Sequence, residues 1–117
     1  MVIGVRMFIQ RALIEPRWAK SLIHVVHFDQ GIRSALADYI RSDLQAGLQE
    51  GILKYEDEDL ALSLIVSSTM GCLISITEGI KVENHDVKHA EMILRALGVN
   101  PDQVKDMAQL MLPAITR

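Results

Sequence analysis

Cysteine, aromatic side chains and excess basic charge are all scarce in this chain, and each scarcity excludes something. The single cysteine, Cys72, allows no disulfide within the chain, and such usage fits a reducing compartment, the cytoplasm. Reactive thiols sit beside cations in partly open settings. Cys72 lies in an apolar run without a basic neighbour, which reads as an inert buried thiol. Aromatic residues make up 4% of the 117, so Leu, Ile, Val, Ala and Met must fill the core. The formal charge is −3, whereas a nucleic-acid-binding surface needs the opposite sign. The sequence has no glycine-rich phosphate loop and no HExxH pattern, and the serines of the apolar run at 60–77 have no local His or acid. No stretch alternates polar and apolar residues for long enough to make a strand, and there is no internal repeat. No catalytic residue, metal site or cofactor is expected.

What the chain does have is apolar aliphatic sequence, concentrated in residues 60–77, LALSLIVSSTMGCLISIT, which carry no charge. Acids at 56–59 precede this run and Glu78-Gly79 follows it. A helix apolar on most of its circumference must be covered on nearly all sides. As a membrane span it is marginal, because spanning takes ~20 apolar residues. It also contains Ser63, Ser67, Ser68, Thr69, Gly71, Ser75 and Thr77, and its flanks are acidic rather than basic. Residues 1–8 carry Arg6 and lack a small-residue cleavage site, so they are no signal peptide. No membrane partner is expected.

Helical periodicity and breakers divide the rest into one all-α domain, residues 1–117, of six helices. Val5, Phe8, Ile9, Ala12 and Leu13 predict a helix over 2–14, which Pro16 ends by restricting Glu15. Pro16 starts the next, to about 27. After the break Asp29-Gln30-Gly31, an amphipathic helix is expected over 32–49, stopped by Gly51. Asp57 is the expected cap of the long apolar helix. Asp86 is the expected cap of a fifth helix over 86–97, with Gly98 after it. Asn100-Pro101 announces a sixth, with Val104, Met107, Ala108 and Met111 on its inner face and Pro113 at its end.

Three groups of residues are candidates for function. Ser67, Gly71 and Ser75, spaced by four, make a shallow stripe suited to a close helix–helix contact. A mid-helix glycine costs roughly 1 kcal/mol relative to alanine, so some packing reason must hold Gly71. With apolar residues all round the helix, the stripe favours a homodimer over packing within one chain. The histidines fall in pairs, His24 with His27 and His85 with His89, each able to offer two ligands where a catalytic zinc needs about three. His85 and His89 begin a helix and read as solvated. His24 reads either as a cavity neighbour or as a surface residue. Met7, Phe8, Trp18, Phe28, Tyr39 and Met70 are large apolar groups spread over the first four helices. They read as core, or in part as the lining of a cavity for an apolar ligand.

The order of features carries a resemblance. Pro16-Arg17-Trp18-Ala19 comes first, then the helix end DLQAGLQEG over 43–51, then the acidic start and Ala61…Gly71 of the long helix. LRALGV over 94–99 follows, and a short helix closes on Leu112-Pro113. This series resembles the C-terminal effector-binding and dimerisation domain of TetR-family transcriptional regulators, over nearly the whole chain. The resemblance implies that the two late long helices form a four-helix bundle with a second subunit, and that the earlier helices enclose a pocket. The pocket is then expected from Met7, Trp18, His24, Phe28, Tyr39 and Met70. The dimer interface is expected from Ser67, Gly71, Ser75, Ala90, Leu94 and Leu97. The implied partners are a second copy and a small apolar effector. DNA would be reached only through the family's N-terminal helix-turn-helix head, which these residues do not include. Two other functions fit the residues less well: a headless dimerisation module and a small helical metal enzyme using the histidine pairs.

Overall fold

Capping side chains and prolines decide where the helices break. The computed structural model describes residues 1–110. It shows α1 (Val2–Ile14), α2 (Pro16–Phe28), α3 (Gln30–Gln49), α4 (Glu58–Thr77), α5 (His85–Ala96) and α6 (Pro101–Ala108), with no strand among the described residues. Glu15, forced extended ahead of Pro16, separates α1 from α2. The Asp29 carboxylate accepts from the Ile32 amide at 3.0 Å. This cap starts α3 two residues ahead of the expected position and draws Gly31 into its first turn. Asp57 caps α4 through the Leu60 amide at 2.9 Å, leaving Glu58 and Asp59 in the first turn, where the helix dipole favours acids. Asn100 accepts from the Asp102 amide at 3.0 Å ahead of Pro101.

Two further ends differ from expectation. The fifth helix starts at His85, after Asn84 in the left-handed region, and no side chain caps it. Asp86, expected as that cap, points inward instead. The sixth helix stops at Ala108. The expected contributions of Met111, Leu112 and Pro113 lie outside the described residues.

Helix α4 is the centre of the packing: α1, α2, α3 and α5 all lie against it. Its inward side is Ala61, Ile65, Thr69, Leu73 and Ile76. By length and composition α4 could cross a membrane; here four helices of the same chain cover its inward side. Helix α5 packs on α1 and α6. Ala90, Leu94 and Leu97, expected at a subunit face, are therefore fully enclosed within one chain, at 1%, 0% and 1% exposure. The apolar stripe of α5 is covered by its own neighbours.

The connection from α3 to α4 is threaded tightly past the end of α5. The Lys54 amide donates to the Leu97 carbonyl at 2.8 Å. Gly98 sits there at φ +79°, and an added Cβ would lie 2.9 Å from Lys54 Cβ and 3.1 Å from its carbonyl oxygen. Glycine is required both for the backbone conformation and for the approach.

One buried ion pair joins the two ends of the chain. Arg6 on α1 donates through Nε to Asp86 Oδ2 on α5 at 2.9 Å, and both residues are 7% exposed. Gln10 Nε2 donates to the same oxygen at 3.2 Å, and Arg6 Nη1 donates to the Leu110 carbonyl at 2.5 Å. Removing one partner strands a buried charge, at a cost of about 3 kcal/mol or more. Urea unfolding should show this loss for Arg6→Met. The double variant Arg6→Met/Asp86→Leu should recover much of it, because no unpaired charge remains.

Candidate functional site

An apolar cavity of about 70 Å³ lies where α1 to α4 meet. Helix α1 contributes Gly4, Val5 and Phe8; α2 contributes Leu22 and Val26; α3 contributes Leu36, Tyr39 and Ile40. From α4 come Ile65, Val66, Thr69, Met70 and Leu73. The lining also includes Met1, whose amino group pairs with Asp43 Oδ2 at 2.8 Å; the polar side-chain groups of the lining are the hydroxyls of Thr69 and Tyr39. Tyr39 is 64% exposed and stands at the rim. Of the residues expected in a pocket, Tyr39 and Met70 are here and four are not. Trp18 lies behind the wall, its ring stacked on Phe8 at 5.9 Å between centroids, with the Arg11 guanidinium 5.1 Å from the indole. Met7 is half-buried on α1 but outside the lining. Phe28 is 69% exposed at the end of α2, with the His24 ring 4.6 Å away and His27 edge-on at 4.7 Å. These four sit on positions of α1 and α2 that face a neighbouring ring or solvent, and sequence spacing did not separate those faces.

The pocket expectation named neither Gly4 nor Thr69, nor the aliphatic residues of α1 to α4 that make up most of the lining. A Cβ at Gly4 would meet nothing within 4 Å, so the glycine helps keep the cavity open. A glycine near the start of a helix, on its apolar side, was the available signal. Gly4→Ala should therefore be tolerated and raise stability by up to about 1 kcal/mol by helix propensity. Gly4→Leu should occlude the cavity, read as lost uptake of a small aromatic such as toluene.

A polar seam runs between α4 and α5. Thr69 Oγ1 lies 3.2 Å from His89 Nε2, and Cys72 Sγ lies 3.2 Å from His85 Nε2. His85 and His89, expected in solvent, are thus half-buried and face α4. Among the described residues no group of three His, Cys, Asp or Glu side chains could hold a metal ion. Burial pushes the Cys72 thiol up, away from the reactive thiolate. Burial, and then the nearby His85, hold the His89 imidazole below its ordinary 6.5. The unfolded chain therefore takes up the proton first as pH falls. Stability contributed by neutral His89 is present above 6.5 and is lost as pH drops from there toward the folded value. Unfolding midpoints between pH 7 and 5.5 should fall for the native chain and fall less for His89→Gln.

A third cluster clips α3 to the start of α4. Gln45 Nε2 and Arg41 Nη1 each donate to Glu58 at 2.8 Å, and Arg41 Nη2 donates to Asp59 at 2.5 Å. Hydrogen bonds from Gln45 and then Arg41 keep the Glu58 carboxyl below its usual range.

The outward side of α4 is uncovered. Leu60 is 72% exposed, Leu64 41% and Ile74 42%, and Ser67 and Gly71 are exposed between them. Ser75 is half-buried at the edge of this face. At Gly71 a Cβ would meet nothing within 4 Å. Helix α5 exposes Met92 at 68%.

Among the described residues, six helices, with an apolar cavity between the first four and a long central helix bare on one side, make up an all-helical domain. The family whose sequence model is described as the C-terminal domain of tetracyclin repressor-like proteins matches residues 1–110. The chain belongs to this family, the C-terminal domains of TetR-type transcriptional regulators, which are not enzymes. Among solved structures, RolR in complex with its ligand resorcinol superposes with a TM-score of 0.60 at 23% identity, covering 98% of this chain and 68% of that one. That likeness shows the fold. No curated protein matches.

Proposed function

We propose that this domain senses a small apolar effector in the α1–α4 cavity and pairs with a second copy through the outward side of α4. It would act in the cytoplasm as the regulatory half of a repressor that reaches DNA through a separate head, with residues 1–117 working as one domain. The observation that carries this reading is the double exposure of α4. One flank, at Val66 and Met70, lines the cavity, while the adjacent side leaves Leu60, Leu64 and Ile74 bare. RolR, with the same fold, holds resorcinol, a ligand small enough for a modest cavity.

The cavity is far below the ~300 Å³ at which ligand sites commonly begin, so the effector must widen it. Met70 in the wall can adapt, having an unbranched and flexible side chain. Binding then favours the wider state, and only a difference in affinity between the two states can shift their populations. Because α4 belongs to both the cavity and the subunit face, the shift reaches the second copy. In α5 the residue available to that contact is Met92, in place of the enclosed Ala90, Leu94 and Leu97.

Light scattering at micromolar concentration should give twice the monomer mass of 13.1 kDa; a clean monomer would overturn the pairing. Gly71→Leu adds a side chain whose Cβ meets nothing within 4 Å in the single chain. It should leave the unfolding midpoint of the monomer level or higher and weaken the dimer by about tenfold or more, from steric block of a close approach.

A further inference from the structure

A second, larger hollow of about 260 Å³ opens on the surface between α2, α3 and the start of α4. It shares three wall residues, Val26, Leu36 and Val66, with the inner cavity, so one layer of aliphatic side chains separates the two. Their chemistry differs. The inner compartment has no charged side chain in its lining and only the Thr69 and Tyr39 hydroxyls as polar side-chain groups, the Met1 amino group being paired with Asp43, whereas the outer one is lined in addition by Arg33, Asp59, Ser63 and Ser67.

Arg33 is the cation of the outer compartment among its lining residues. Its Nη1 donates to the Val26 carbonyl at 3.1 Å and to the His27 carbonyl, which fixes the guanidinium at the end of α2. Both bonds use the same nitrogen. A guanidinium offers five N–H donors in a fixed fork, so Nη2 and Nε, which have no hydrogen-bond partner among the described residues, stay available to a ligand. Asp59, the acid in the same lining, has its carboxylate engaged by Arg41 Nη2. Neither compartment alone reaches the size at which ligand sites commonly begin; joined, they reach its lower end.

We infer that the effector is an amphipathic carboxylate: its apolar body fills the inner cavity after displacing Val26, Leu36 and Val66, and its carboxylate is held by Arg33 in the outer compartment. This rests on the sensing role proposed above and specifies the class of molecule sensed. Ser67 belongs both to the outer compartment and to the bare side of α4, so the anionic end lies beside the subunit contact.

Titration calorimetry with 3-phenylpropanoate, 3-phenylpropanol and 3-phenylpropylamine, which share one apolar body, tests the assignment, with toluene as the probe of the inner cavity alone. The native chain should bind the acid about tenfold tighter than the alcohol, as a charge-assisted hydrogen bond allows, and the amine more weakly still. Arg33→Gln should bring acid and alcohol level. Since Arg33 also holds α2, Ser63→Glu provides a second variant on an exposed position; it should weaken the acid and leave toluene unchanged. Alcohol or amine binding as tightly as the acid in the native chain would overturn the inference. Toluene binding without preference for the acid would do so while leaving the sensing role intact, and failure of all four ligands would remove both.

Discussion

A helix that is apolar around its whole circumference needs cover around its whole circumference, and α4 does not obtain it from one chain. Four helices enclose the side marked by Ala61, Ile65, Leu73 and Ile76, and the side marked by Leu60, Leu64 and Ile74 stays bare. Leaving large aliphatic groups in water forgoes burial of roughly 25 cal/mol per Å² of apolar surface. Scattered exposed leucines are ordinary on a protein surface. A run of them along one helix, interrupted by the small residues Ser63, Ser67 and Gly71, is a face that a second backbone could approach closely.

The remaining structure holds that helix at a fixed position. The Arg6–Asp86 pair fastens α5 to α1 behind it, Arg41 and Gln45 fasten its first turn to α3, and the Lys54–Leu97 hydrogen bond anchors the strap that leads into it. Where α1 to α4 converge the packing is incomplete, and the cavity is the result. Thr69 connects these parts, with its side chain in the cavity wall and its hydroxyl on His89 of α5. A ligand that disturbs Thr69 is therefore felt on both long helices.

Local chemistry made the helices legible in the sequence. Pro16, Asp57 and Asn100 mark breaks that side chains and rings enforce by themselves, and the C-terminal end of α1 follows from Pro16 to the residue. The family, too, was legible from the order of its degenerate pieces. The errors fell where a residue had to choose between a local and a distant partner. Asp86 had the spacing of a cap, and Arg6, eighty residues away, claimed it instead. Ala90, Leu94 and Leu97 form a stripe that periodicity identifies as buried, yet periodicity does not say whether the cover comes from the same chain. Trp18 and Phe28 are large enough to line a pocket, but stacking on Phe8 and exposure at a helix end placed them elsewhere. Gly4 lines the cavity by having no side chain, an absence that composition cannot weigh.

The central claim is that the bare side of α4 meets its own copy while its flank borders the ligand. Isotope-filtered NMR on an equimolar mixture of labelled and unlabelled chains measures this directly. The account predicts contacts between copies at the methyl groups of Leu60, Leu64 and Ile74, none at the enclosed methyls of Ile65, Leu73 and Ile76, and a shift of the Met70 methyl when toluene is added. Contacts between copies centred instead on Phe28 and Ile32, or none at all on α4, would contradict it.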